Sequence, residues 1–174
     1  MARALGADDA HAIAHSPARE LDEKEFVMSA ENTLLGIIRS GAACPAETLM
    51  PLFDQLKPAT AQEMIGQWHG GKFDGGAEPN PINWYGKRFV SRAHVDPMLC
   101  KKEDGSIYAW PDWGDAQLRE MVWNGKVQAC LIYDKLPMMD YFRKVTDDLV
   151  VGLADIKGRP VDFFFWLERD KDSA

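Results

Sequence analysis

Gly66-Gln67-Trp68-His69-Gly70-Gly71 opens the part of the chain whose pattern decides the fold. Glycines at this spacing let two backbones approach closely or bend, and a Trp between them is large enough to plug the end of a small closed barrel. The stretch therefore points to a barrel and, with one end plugged, to a cavity at the other.

Downstream the pattern is of short strands separated by turns. Strands are expected over Ile65–Phe73, Trp84–Ala93, Val95–Cys100 with an interruption at Pro97, Ser106–Trp110, Gln117–Trp123, Lys126–Tyr133, Leu149–Asp155 and Val161–Glu168. Asp74-Gly75-Gly76, Asp104-Gly105, Asn124-Gly125 and Lys157-Gly158 supply the turns. Asn124-Gly125, set between two apolar runs, predicts a tight hairpin with a primed turn. Strands so close in sequence favour an antiparallel meander that closes to hide its edges. Pro137 to Lys144 reads as a break in this meander, one helical turn or an irregular segment across an opening. The last strand is apolar on both faces, with Val161, Phe163, Phe165 and Leu167 on one and Phe164 and Trp166 on the other. Its outer face is expected to be covered by N-terminal helices or by a second subunit.

Upstream the period changes. A partly helical segment ends at Gly41, and a second short helix starts with Pro45 in its first turn, carries Leu49, Leu52, Phe53 and Leu56 on one side, and stops before Pro58. Four regions follow from this reading: a loosely held N-terminus over 1–17, a helical preface over 18–58, the barrel over 59–170 and a tail over 171–174.

Composition excludes several functions. A chain of 174 residues, 46% hydrophobic, can bury one core, and a net charge of −7 with no basic cluster argues against a nucleic-acid partner. The first 16 residues are too polar for a signal-peptide core, and no apolar run approaches membrane-spanning length, so a cytoplasmic protein with no membrane partner is expected. Cys44, Cys100 and Cys130 are widely separated and read as free thiols, with Cys130 buried and inert, rather than as disulfides or a zinc site. No metal site is expected.

The chain resembles the GXWXG family and the domain of unknown function that accompanies it. The resemblance rests on Gly66-Gln67-Trp68-His69-Gly70, Trp84-Tyr85-Gly86-Lys87-Arg88-Phe89, the run from Tyr133 to Lys144, and Phe164-Phe165-Trp166-Leu167-Glu168-Arg169. That family name implies no activity. An early Gly-x-Trp is also similar to the calycin group of lipocalins, fatty-acid-binding proteins and haem-binding nitrobindins. Haem would need an axial histidine from the later strands, and the chain has no His after His94. The expectation is thus a mainly β protein, an antiparallel calycin-like β-barrel preceded by two short α-helices, with no cofactor.

Candidate site residues cluster around Tyr133, Asp134 and Asp140, whose carboxylates are expected near the barrel mouth, with Lys144 one helical turn beyond Asp140. A carboxylate held against Met138, Met139 and Phe142 has its charged form disfavoured, which suits a general acid or base. The alternative has Asp134 as a cap and Asp140 paired with Lys144 or Arg143. On the strand at Lys87–Arg92, alternation puts Lys87, Phe89 and Ser91 on one face and Arg88, Val90 and Arg92 on the other. An inward Arg88 would hold a ligand carboxylate or enolate, or balance one of the aspartates. His94, at a strand end, is a candidate proton carrier or an exposed turn residue; His69 lies on the face opposite Trp68; and His11 and His15 share a helical spacing in the loosely held segment.

Three functions remain open at this level. The leading one is binding of a small, largely apolar molecule with a carbonyl, carboxyl or hydroxyl group, using Trp68, Arg88, Tyr133, Met138, Phe142 and Lys144. The second is a cofactor-independent isomerase, dehydratase, lyase or cyclase, with Asp134 or Asp140 as base and Tyr133 or His94 as acid. The third is a structural subunit that forms a homodimer through its apolar outer face.

Overall fold

Ser29 begins the first element: its hydroxyl accepts from the Asn32 amide at 3.2 Å and caps helix α1, Ala30–Ser40. Gly41, with φ of 65°, ends it in the left-handed region that glycine enters without steric cost. Leu34 and Ile38, one turn apart, bury on the same face. Helix α2, Ala46–Gln55, follows Pro45 and buries Leu49 and Phe53 at the same spacing. The computed structural model describes residues 28–171. The expectations for residues 1–17, His11 and His15, and for the upstream part of the helical preface, lie outside the described residues.

A third helix, α3 (Ala61–Met64), was not expected. It is one turn long and held by a capping box, in which the Thr60 hydroxyl accepts from the Glu63 amide while the Glu63 carboxylate accepts from the Thr60 amide at 2.7 Å. The other Glu63 oxygen accepts from Lys144 Nζ at 2.6 Å. The Lys144 bond, with the Thr60 amide behind it, holds the Glu63 carboxyl at about 2, below its ordinary 4.5. Because the folded carboxyl binds its proton more weakly than the unfolded one, its contribution is full above pH 4.5 and is lost as pH falls toward 2. Glu63→Gln is expected to cost about 1 kcal/mol at neutral pH, screened because the pair is half exposed, and nothing near pH 2. Urea midpoints of both proteins at the two pH values check this.

The strands are β1 (Lys57–Pro58), β2 (Gly66–Lys72), β3 (Trp84–Ser91), β4 (His94–Lys101), β5 (Ile107–Ala109), β6 (Ala116–Trp123), β7 (Lys126–Tyr133), β8 (Met138–Thr146), β9 (Leu149–Ile156) and β10 (Phe163–Arg169). Their order is β8-β7-β6-β4-β3-β2-β10-β9, and β9 pairs back onto β8, so eight antiparallel strands close a barrel. The segment from Pro137 to Lys144 is therefore not a break. Met138, Asp140 and Phe142 point inward while Tyr141, Arg143 and Val145 pack under the helices, and a strand buried on both faces loses the polar alternation that would mark it.

Strand β4 also runs without interruption through Pro97. Gly86 pairs with Leu99 and Arg88 with Asp96, so Pro97 and Met98 together stand opposite Lys87 in a bulge, where a missing N–H breaks no regular ladder bond. On the far side of the barrel β7 and β8 pair only through Cys130–Ile132 and then part. The chain at β1 fills the split: the Ala59 amide donates to the Phe142 carbonyl at 3.2 Å and the Ala129 amide donates to the Ala59 carbonyl at 2.7 Å.

Two apolar clusters share the barrel wall. Inside, Trp68, Met64, Phe89, Leu131, Phe142 and Leu167 fill one end. Outside, Leu34, Ile38, Leu49 and Phe53 cover Tyr141, Val151, Leu153 and Phe164, with the Phe53 and Phe164 rings edge to face at 5.7 Å. The helices thus cover the outer face of β10, as the apolar composition of that strand required. Cys130 is fully buried, and burial pushes its thiol up to about 12. No described helix is long and apolar enough to cross a membrane.

Candidate ligand-binding site

The end of the barrel opposite Trp68 is hollow. A cavity of about 370 Å³ is walled by Trp84, Met98, Trp113, Met138, Ile156 and Phe165, with Pro79 to Ile82, Arg159 and Phe163 at its mouth. Two glycines shape it. A side chain at Gly86 would overlap the Trp68 carbonyl oxygen, so glycine there lets β2 and β3 approach; one at Gly152 would run into the Phe165 ring, which instead lies into the lumen.

Three polar side chains form the floor. Lys87 Nζ donates to Tyr133 Oη at 2.6 Å and to the Pro97 carbonyl at 3.0 Å, and lies 3.1 Å from Asp140 Oδ2; Tyr133 Oη donates to the same carboxylate oxygen at 2.8 Å. All three residues are buried. The Lys87 ammonium also sits 5.0 Å from the Phe165 ring centroid and 5.2 Å from that of Tyr133. Burial pushes Lys87 below its ordinary value against the pull of Asp140. Burial, reinforced by Asp140, drives the Tyr133 phenol well above its own, so Tyr133 stays a neutral donor at pH 7. The three Lys87 protons have acceptors at the Pro97 carbonyl, Tyr133 and Asp140. Among the described residues, Asp140 Oδ1 accepts from no protein group, and Asp140 lines the cavity. The floor therefore offers one free acceptor and no net charge.

Of the residues singled out from the sequence, Tyr133, Met138 and Asp140 meet at this cavity. The others lie elsewhere. Arg88 points outward and holds Asp96 at 2.6 Å on the barrel surface; with Phe89 committed to the core, alternation makes Lys87, not Arg88, the inward cation. Asp134 follows inward Tyr133 by one residue and is exposed, bordering a separate cleft with Asp96 and Asp115. His94 is on the outside too, 3.3 Å from Asp115 and 3.7 Å from Asp96. Trp68 is fully buried in the plug, where Nε1 donates to the Met64 carbonyl and the Arg169 guanidinium stacks 4.1 Å from its ring centroid. Phe142 lies in the core against Phe89 and Phe165. Lys144 is four residues down a strand from Asp140 rather than one helical turn away, a span of about 13 Å that puts it at the closed end with Glu63. His69 is on the outer surface with Asp170, Gln67 and Tyr85. Lys87 and Arg159 were not anticipated at the site. The face shared by Lys87 and Phe89 carried the signal for the first; Arg159 lies in a turn, where no periodicity aims a side chain.

A closed eight-stranded antiparallel barrel, plugged by a Gly-x-Trp strand and hollow at the other end, defines a calycin-like architecture. Residues 51–105 match the family described as GXWXG protein, residues 114–169 match DUF4334, a domain of unknown function, and the chain belongs to the family that joins the two. A crystal structure of a protein from Thermomonospora curvata is similar, with 46% identity, coverage of 83% of this chain and 100% of that one, and a TM-score of 0.77. No curated protein matches the chain.

Proposed function

We propose that the cavity binds one small, largely apolar molecule whose polar end carries a hydrogen-bond donor directed at Asp140. The supporting observation is the buried cluster of Lys87, Tyr133 and Asp140 at the floor of an otherwise apolar space. A buried ion pair rarely repays its desolvation as a structural device, and apolar side chains would close this end of the barrel more cheaply. A volume of about 370 Å³ corresponds to roughly a dozen liquid waters, the size of a monocyclic or short-chain molecule. Carboxylate Oδ1 gives such a ligand an orientation, and the walls give it affinity. With a chain charge of −7, nucleic acid is not a partner in this reading, and the protein is cytoplasmic.

Native mass spectrometry of the purified protein, beside Ala154→Phe, tests the proposal. Ala154 is a buried residue of the cavity wall, paired with Asp140 across β8 and β9, and a ring there fills the lumen beside the polar floor. The expected result is a co-purifying small molecule in the wild type that is absent from Ala154→Phe, with the two proteins folding alike by circular dichroism. Equal recovery of the molecule from both would place it outside the cavity and overturn the reading. The same spectrum reports whether the chain is a homodimer.

The free Oδ1 favours a second reading, in which Asp140 takes a proton from the bound molecule as a cofactor-independent lyase or isomerase would require. Its signature is turnover lost in Asp140→Asn with binding retained.

A further inference from the structure

The charges lining the cavity run against those of the chain. Three cations, Lys72, Lys87 and Arg159, face it with one carboxylate, Asp140, in a protein whose net charge is −7. Two of the cations are already satisfied. Lys87 is paired with Asp140 on the floor, and Lys72 is held at 3.2 Å from Asp74 and 2.9 Å from Glu78, neither of which lines the cavity. Among the described residues Arg159 makes neither an ion pair nor a side-chain hydrogen bond. Its backbone is nevertheless fixed at the rim: the Arg159 amide donates to the Ile156 carbonyl at 3.0 Å, and the Lys157 amide donates to the Pro137 carbonyl at 3.0 Å. A guanidinium with no partner, anchored at the mouth of an apolar space, is a receptor for a planar monoanion, which it can grip through two parallel hydrogen bonds. A phosphate, carrying nearly two charges, would call for more than one free cation.

We infer that the ligand is a two-ended hydroxy acid, its carboxylate on Arg159 at the mouth and its hydroxyl donating to Asp140 on the floor, with an apolar body between them. This rests on the binding reading above and adds the chemistry of both ends. The carboxylate enters last and stays nearest water, so its desolvation is small, while the hydroxyl takes the free Asp140 Oδ1 inside. Reversed entry would set a carboxylate against Asp140, two like charges in a low-dielectric site.

The test uses two series of probes: 10-hydroxydecanoate with its methyl ester and with decanoate, and 3-(4-hydroxyphenyl)propanoate with its methyl ester and with 3-phenylpropanoate. Affinities are read from the fluorescence of Trp84 and Trp113, which line the cavity, and by calorimetry. At least one hydroxy acid is expected to bind tenfold or more tightly than its ester, as a charge-assisted hydrogen bond provides, and also more tightly than its deoxy analogue. In Arg159→Gln the preference for acid over ester should vanish while the ester binds as before. Acid and ester binding equally to the wild type, or a preference that survives Arg159→Gln, overturns the inference while leaving a cavity that binds small molecules. Failure of all six compounds overturns it as well, and the mass-spectrometric comparison with Ala154→Phe then decides the binding reading separately.

Discussion

Lys87→Met is expected to destabilise the protein by about 3–5 kcal/mol, the largest loss of any single substitution at the site, because it strands the buried Asp140 carboxylate without its cation. Tyr133 would remain as its one donor. The Pro97 carbonyl loses its partner in the same change, in a bulge where no ladder bond replaces it. The loss should be repaired by removing the rest of the cluster. A triple variant, Lys87→Met with Tyr133→Phe and Asp140→Leu, replaces every polar side chain of the cluster by an apolar one of similar shape and, with only the Pro97 carbonyl still unpaired, is expected to return to within about 1–3 kcal/mol of wild-type stability. Urea unfolding of the single and triple variants measures both. A triple variant as unstable as Lys87→Met would mean that the cluster holds the barrel together; recovery, with loss of the ligand, would mean that the cluster is kept for what it binds.

The second large effect is expected at Arg143, which is fully buried yet lies outside the barrel, between β8 and helix α2. Its Nε donates to Gln128 at 2.7 Å, one terminal nitrogen donates to the Phe53 carbonyl at 2.9 Å and to Asp54 at 3.3 Å, and the other donates to the Trp123 carbonyl at 3.3 Å. The guanidinium also lies 4.6 Å from the Phe53 ring centroid. One side chain therefore satisfies the end of α2 and the hairpin between β6 and β7 at once. Arg143→Met is expected to cost about 3–5 kcal/mol, since Gln128 Oε1 loses its donor while the Phe53 and Trp123 carbonyls lose a charged one and keep only the Leu56 amide and the Gln128 side-chain amide. Arg143→Lys should recover only part of this, because an ammonium cannot reproduce the planar fork. Hydrogen exchange should show the amides of α1 and α2 opening before those of the barrel strands, since the clamp ties helix to sheet without entering the lumen. Simultaneous opening of both would contradict this account.

The two clusters also explain how far the sequence could be read. The strands at Lys126–Tyr133 and Leu149–Asp155 were legible because turn residues bracket them, and the helices because Gly41 and Pro45 mark their ends. β8 was not legible. With the lumen on one side and the helices on the other, its two faces are equally apolar, and Asp140 and Arg143 then look like interruptions rather than inward and outward positions of a stave. Which of Lys87 and Arg88 faces the lumen is hidden in the sequence for a related reason. Alternation separated the two residues correctly, but which face is inside depends on Phe89 being core, and an isolated strand does not carry that information. Thr60-Ala61-Gln62-Glu63 is a capping box that was present to be read, although a helix of one turn leaves no period to support it.

Local chemistry set the elements: glycines where backbones cross or turn, apolar residues at strand and helix spacing, and a Trp able to plug a small barrel. These are properties of neighbouring residues, so they survive in a linear string. The meeting of Lys87, Tyr133 and Asp140 depends on three strands, a bulge at Pro97 and the closure of β9 onto β8. Hydrogen bonds between residues 46 and seven positions apart become definite only when the barrel has closed, because closure alone sets the distance across the lumen and removes the water that would otherwise satisfy each group separately.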